Sequence, residues 1–167
     1  MSIFIHMNKK GEYMENYAKN ITKLLGNFLN HKQNDNSEKD WMINHLTNSQ
    51  LQAKLNKLQT QDVHILTILV KSEKEYNIKQ LPAKIGISQP SISRAINRLT
   101  KYELIKKYHP KDNSKEYVIA LTNDGRSIAA VHQKMQNKLI HDMQKRLEDF
   151  SNQELQTFIK IFKRITN

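Results

Sequence analysis

No cysteine occurs in the 167 residues, so a disulfide framework, a thiol-based redox sensor and a cysteine-ligated zinc centre are excluded. Glycine is scarce, with four residues in all, which leaves little room for a tight catalytic loop. No glycine-rich phosphate loop, Ser/His/Asp context or paired-histidine metal motif stands out, and an enzyme is not expected. Apolar runs long enough to span a membrane are missing, as are internal repeats. The opening Met1-Ser-Ile-Phe-Ile-His6 is too short for a signal peptide, so a cytoplasmic location is expected. Acidic residues are also short, 16 against 27 lysines and arginines, for a net charge of +11 and a pI of about 9.7. That imbalance calls for an acidic partner, nucleic acid or an anionic surface. Between Tyr76 and Glu116 nine lysines and arginines face three acids, so six of the eleven net charges lie in this one stretch.

Within that stretch, Leu81-Pro-Ala-Lys-Ile-Gly-Ile-Ser-Gln-Pro-Ser-Ile-Ser-Arg-Ala-Ile-Asn-Arg-Leu99 reads as two short helices around a glycine turn. Leu81 and Ile85 are one turn apart and face a core, while Gly86 supplies the left-handed residue that ends the first helix. Ser88 is placed to cap the second, its side-chain oxygen accepting a first-turn N–H, and Pro90 is tolerated where amides lack intrahelical partners. Ile92, Ala95, Ile96 and Leu99 fall on one side at helical spacing. Ser88, Gln89, Pro90, Ser91, Ser93, Arg94, Asn97 and Arg98 are left outside, a set of donors and acceptors suited to base edges in a major groove. Such residues more often form an ordinary solvated face. The downstream segment favours the groove: a strand-like Tyr102–Tyr108, a turn at His109-Pro-Lys-Asp-Asn-Ser114 and a second strand Glu116–Leu121 make helix, turn, helix and hairpin in winged-helix order. Lys107, Lys111 and Lys115 on this wing are expected to attract phosphate.

Long helices flank this unit. Met14, Tyr17, Ile21, Leu24, Leu25 and Phe28 repeat at helical steps until the polar run Lys32–Glu38. A second segment carries Trp41, Met42, Leu46, Leu51, Leu55 and Leu58, and a third Val63, Ile65, Leu66, Ile68 and Leu69; Lys71 to Asn77 reads as a polar connection. Beyond the wing, Thr122 or Asn123 is the cap of a helix whose stripe Ile128, Val131, Met135, Leu139, Met143 and Leu147 outruns what one small winged helix can cover. Ser151 with Glu154 forms a capping box for a last helix through Leu155, Phe158, Ile159, Phe162 and Ile165. The chain is thus expected to be mostly α with a small β-wing: a loose arm at 1–12, N-terminal helices at 13–57, a winged helix-turn-helix at 58–122 and C-terminal helices at 123–167. Apolar residues make up 38%, lean for a monomer of this length, so the terminal helices are expected to form a dimerisation domain. A homodimer presents two reading helices about one turn (~34 Å) apart to a palindrome in double-stranded DNA.

From about Leu58 to Ala129 the residues resemble the MarR family of bacterial transcriptional regulators. The matching features are Leu58-Gln-Thr-Gln-Asp-Val-His-Ile-Leu66, the helix-turn-helix, Arg98-Leu99, Leu104-Ile105, the wing and Leu121-Thr-Asn-Asp-Gly125. The resemblance implies a triangular dimer built from the first and last two helices, with a winged helix at each lower corner. It further implies a repressor that binds a palindromic operator, needs no cofactor and is modulated by a small organic ligand in a crevice between dimer and DNA domains. Two departures stand out. The family's wing usually carries Asp-x-Arg, whereas Asp112-Asn-Ser-Lys115 puts lysine at the matching place, which lacks the flat fork. Asp62 stands where the family often has glutamine, and no role attaches to it. His64 and His132 match two ligand positions of the zinc-sensing branch, and Asp40 and His45 lie in the segment that supplies further ligands. One turn beyond His132, however, stands Gln136, so His45, His64 and His132 are candidates only and no metal is expected. The alternative readings are a zinc-responsive regulator of the same family, and a winged-helix replication initiator or architectural DNA-binding protein.

Overall fold

The computed structural model describes residues 14–27, 37–71, 76–110 and 117–166. The chain divides into two units, residues 1–38 and 39–167. In the first, helix α1 (residues 14–27) carries a Lys19–Glu15 ion pair one turn apart at 2.7 Å and exposes Met14, Tyr17 and Leu24. The expected arm at 1–12 and Phe28 lie outside the described residues.

Helix α2 (Ser37–Asn44) crosses the boundary, and α3 (Ser49–Asn56), α4 (Thr60–Lys71), β1 (Tyr76–Asn77), a 3₁₀ turn at Ile78–Gln80, α5 (Leu81–Ile85), α6 (Gln89–Lys101), β2 (Ile105–Tyr108), β3 (Val118–Leu121), α7 (Asn123–Leu147) and α8 (Asn152–Thr166) come after it. The single helical segment expected from Trp41 to Leu58 is two helices. Asn48 breaks it: its side-chain oxygen accepts the N–H groups of Gln50 and Leu51, at 2.8 and 3.3 Å, and so starts α3 afresh. Lys39 Nζ then donates to the carbonyls of Asn56 and Leu58, closing the other end of α3.

The three strands form an antiparallel sheet in the order β1-β3-β2, with Tyr76 opposite Ile119 and Ile105 opposite Leu121. The end of the expected polar connection is therefore β1, a strand of two residues and too short to show alternation. The first wing strand also begins later than Tyr102, because Glu103 takes a left-handed backbone (φ 56°). That kink lets the Leu104 N–H reach the Leu99 carbonyl at 2.9 Å before the chain extends.

One core unites Leu55, Ile65, Leu66, Leu81, Ile92, Leu99, Leu104, Ile119 and Ile128, all essentially inaccessible to solvent. Each such side chain contributes about 1.5–3 kcal/mol by burial. Met42 of α2, Leu46 of the turn after it and Leu51 of α3 belong to the same cluster. Helix α4 lies at its centre, against α7 on one side and α6 on the other. The stripe of α7 is buried at Ile128, Val131 and Met135 but exposed at Leu139 and Met143. Thr122 caps this helix, its hydroxyl accepting the Gly125 N–H at 3.1 Å. The expected capping box opens α8, where the Ser151 hydroxyl and N–H hold the Glu154 carboxyl below the usual carboxylate range. No helix among the described residues is long and apolar enough to cross a membrane.

Candidate nucleic-acid interface

Gly86 ends α5 with φ 74°, its N–H bonded to the Pro82 carbonyl, and Ile87 leads into α6. Ser88 occupies the cap position through its backbone, extended at φ −65° and ψ 150°, with its carbonyl accepting the Ile92 N–H. Its side chain does not cap the helix, as the sequence suggested, but donates to Ser91 Oγ at 3.1 Å. Pro90 fills a first-turn position as expected.

Ile92, Ala95, Ile96 and Leu99 bury one face of α6 completely, while Gln89, Pro90, Ser93, Arg94 and Asn97 remain exposed. At about 3.6 residues per turn, Pro90, Ser93, Arg94, Asn97 and Lys101 share one stripe opposite the core, and Ser91 and Arg98 flank it. Among the described residues Arg94 is held by one long contact from Nη2 to Ser91 Oγ, 3.4 Å, so its guanidinium can reach outward. A stripe of serine, asparagine and arginine standing clear of the core has the chemistry of base-edge readout.

Arg98 has a different environment. Its Nε and Nη2 donate to the two carboxylate oxygens of Asp62 at 2.9 and 2.8 Å, and Nη2 also donates to Gln59 Oε1 at 2.9 Å. Asp62 is wholly buried, and its Oδ2 additionally accepts the Gln59 N–H at 2.8 Å, which caps the start of α4. This forked pair holds the Arg98 guanidinium still more firmly protonated. Arg98, read from sequence as part of the DNA-facing set, is thus turned toward α4. Asp62 had no role in the sequence reading, yet the signal was present: it shares the core face of α4 with Ile65, Leu66 and Leu69, and a carboxylate there requires a cationic partner.

On the wing, Lys107 is exposed with its Nζ 3.9 Å from the centre of the Tyr117 ring, and the His109 ring lies 3.9 Å from the same ring. Lys111 and Lys115 lie outside the described residues.

Of the candidate metal ligands, His45 stands apart and His64 and His132 meet. His45 stacks on Trp41, with ring centroids 3.6 Å apart, and its Nδ1 bonds the Trp41 carbonyl at 2.7 Å. His64, exposed on α4, and His132, buried on α7, have ring centroids 5.2 Å apart. His132 Nδ1 contacts Thr67 Oγ1 at 2.8 Å, and that hydroxyl also donates to the Val63 carbonyl. With its single proton given to Val63, the hydroxyl accepts from Nδ1–H. Among the described residues no group of three or more His, Cys, Asp or Glu is arranged to hold a metal ion.

Residues 58–117 match the model of the MarR family. The chain is 25% identical over 134 residues to the HTH-type transcriptional regulator YvnA of Bacillus subtilis, covering 80% of this chain and 74% of that protein. It is 27% identical over 105 residues to the HTH-type transcriptional regulator PchR of the same organism, covering 63% and 62%. Its fold is similar to that of ZitR of Lactococcus lactis, described as a zinc-responsive MarR family member and also solved in complex with DNA. With ZitR the TM-score is 0.68 and the identity 18%, over 90% of this chain and 96% of that one. The winged helix-turn-helix at residues 58–117 is thus a MarR-family domain.

Proposed function

We propose that this protein is a homodimeric repressor that reads a palindromic operator in the major groove with α6, the wing adding phosphate attraction. The observation that carries this reading is the outward stripe of Pro90, Ser93, Arg94 and Asn97 on a helix whose opposite face is fully buried. Arg94 reads bases, and Lys107 and the wing lysines Lys111 and Lys115 neutralise phosphates. Arg94→Ala is expected to cost roughly 1–3 kcal/mol on the operator and little on mixed-sequence DNA, since only a base-edge contact distinguishes the two. Lys107→Ala should weaken both about equally. Equal loss on both duplexes in Arg94→Ala, measured by fluorescence anisotropy at fixed salt, would remove α6 from the major groove. The same assay separates a regulator from an architectural or replication-initiating binder. A regulator prefers its palindrome by on the order of a thousandfold.

The effector is a small organic ligand, as the resemblance to the family implies, rather than zinc. Zinc is the second reading because His64 and His132 lie ring to ring and ZitR is described as zinc-responsive. Against it stands the lack of a third donor among the described residues; the Nδ1–H that His132 gives to Thr67 leaves its Nε2 available and does not decide the matter. Low micromolar zinc should therefore leave operator affinity unchanged. His64→Ala, which removes an exposed ring and opens no cavity, should bind like the parent. A zinc-dependent gain of tenfold or more, about 1.4 kcal/mol of coupling, that disappears in His64→Ala would make the histidine pair the sensor.

A further inference from the structure

We propose that Asp62 is a positioning residue for DNA specificity: it holds the Arg98 guanidinium on α4, fixing the rotation of the reading helix and keeping that guanidinium from the phosphates. The proposal rests on the reading of α6 as the helix that enters the major groove.

The buried face of α6, Ile92, Ala95, Ile96 and Leu99, holds the helix against the core through apolar contact. Such contact is not directional and resists a small rotation about the helix axis only weakly. Base readout tolerates little of it, on the order of 0.5 Å and 10–20°. The Asp62–Arg98 pair is directional, with two parallel N–H···O bonds at 2.9 and 2.8 Å from the flank of α6 to a carboxylate at the start of α4. Gln59 Oε1 takes a further N–H of Nη2, at 2.9 Å, so three of the five guanidinium donors are engaged on the α4 side. Asp62 itself is rigid, fully buried and bonded to the backbone of Gln59. Arg98 lies one turn beyond Arg94 and beside Asn97, so whatever sets its position sets theirs.

The same contact has a second consequence. Arg98 keeps about a quarter of its side chain exposed, 26%, at the margin of the stripe proposed to face DNA. Released from Asp62, it would become a mobile cation beside the phosphates and strengthen binding to any sequence. Asp62 therefore acts in opposite directions on specific and non-specific affinity. A residue that only stabilises the fold lowers both.

The test compares the unmodified protein, Asp62→Asn and Asp62→Asn/Arg98→Gln on two duplexes of equal length across a salt series. One is an operator selected from a random-sequence pool by the unmodified protein, the other a mixed-sequence duplex. Asp62→Asn should lose about ten- to a hundredfold on the operator, gain affinity for the mixed-sequence duplex, and steepen the logarithmic salt dependence by about one for each released guanidinium. The double variant carries no unpaired buried charge and serves if Asp62→Asn fails to fold. It should lose operator preference without the gain in salt dependence. An unchanged ratio of the two affinities in a folded variant, or an equal drop on both duplexes, overturns the proposal. If the unmodified protein itself selects no operator, the reading of α6 fails and takes this one with it, an outcome distinct from a selective parent with a selective Asp62→Asn.

Discussion

Phe158→Asp is expected to convert a dimer into a folded monomer and to remove high-affinity operator binding. Phe158 is 62% exposed in the single chain, and Ile159, Ile161, Phe162 and Ile165 of the same helix are exposed beside it. The Phe158 and Phe162 rings lie 5.8 Å apart, centroid to centroid. Leu139, Ile140 and Met143 in the second half of α7 and Phe150 after it are exposed as well. Apolar surface gathered on adjoining helices to this extent is rare on a monomer and marks an association surface. A second copy of the chain is the occupant the family reading supplies. Because Phe158 is largely exposed and, among the described residues, touches the core nowhere and stacks only on Phe162 of its own helix, aspartate there leaves the core intact and most of its cost falls on association. A twofold interface buries the new carboxylate twice, at on the order of 3 kcal/mol or more each, which raises the dissociation constant by roughly four orders of magnitude. Leu139→Asp should act in the same direction, whereas Gln156→Asp on α8 should not. Sedimentation at micromolar concentration with circular dichroism on the same samples is the measurement. An unmodified protein that sediments as a monomer sinks both this prediction and the palindrome argument.

The elements that bear directly on DNA were legible because their signals are local. A glycine with a serine and a proline soon after it, and isoleucine, alanine and leucine at helical spacing, specifies α5, the turn and α6 with no knowledge of the rest of the chain. The same holds for Thr122 and for the Ser151–Glu154 box, each a contact between residues three apart. What was not legible depends on partners distant in sequence. β1 exists only because Tyr76 and Asn77 find Ile119 and Val118, and two residues cannot announce a strand. Arg98 looked like its neighbour Arg94 because helical periodicity places both outside the core stripe. Only the pairing with Asp62, 36 residues earlier, separates a guanidinium left exposed on the outer stripe from one anchored to the protein. The histidines show the converse. His64 and His132 were singled out only by their match to ligand positions and lie ring to ring, whereas the hydroxyl of Thr67, which takes up His132 Nδ1, had no signal of its own.

Gly125→Ala is expected to be the most destabilising of the alanine substitutions at the described glycines, and the reason lies in how α7 leaves the wing. A Cβ built on Gly125 would stand 2.0 Å from the Leu104 carbonyl oxygen and 3.0 Å from Leu121 Cδ2. The carbonyl cannot retreat cheaply. It accepts the Thr122 N–H at 3.1 Å, the Thr122 hydroxyl donates to the Glu103 carbonyl at 2.7 Å, and Leu104 is itself fully buried after the left-handed Glu103. Relief therefore requires the first turn of α7 to move off the turn between α6 and β2, breaking the Thr122 cap and loosening the core at Leu104. Overpacking against a backbone fixed in this way costs about 3 kcal/mol, roughly 6–12 °C in Tm for a chain of this size. Gly86→Ala is the comparison. Nothing lies within 4 Å of its added Cβ, so only the left-handed backbone at φ 74° is strained, at about 1 kcal/mol. Thermal and urea denaturation of the two variants at one protein concentration, held fixed because any self-association shifts apparent stability, should rank Gly125→Ala well below Gly86→Ala. Equal stabilities would mean that the approach of α7 to Leu104 is looser than the 2.0 Å contact requires.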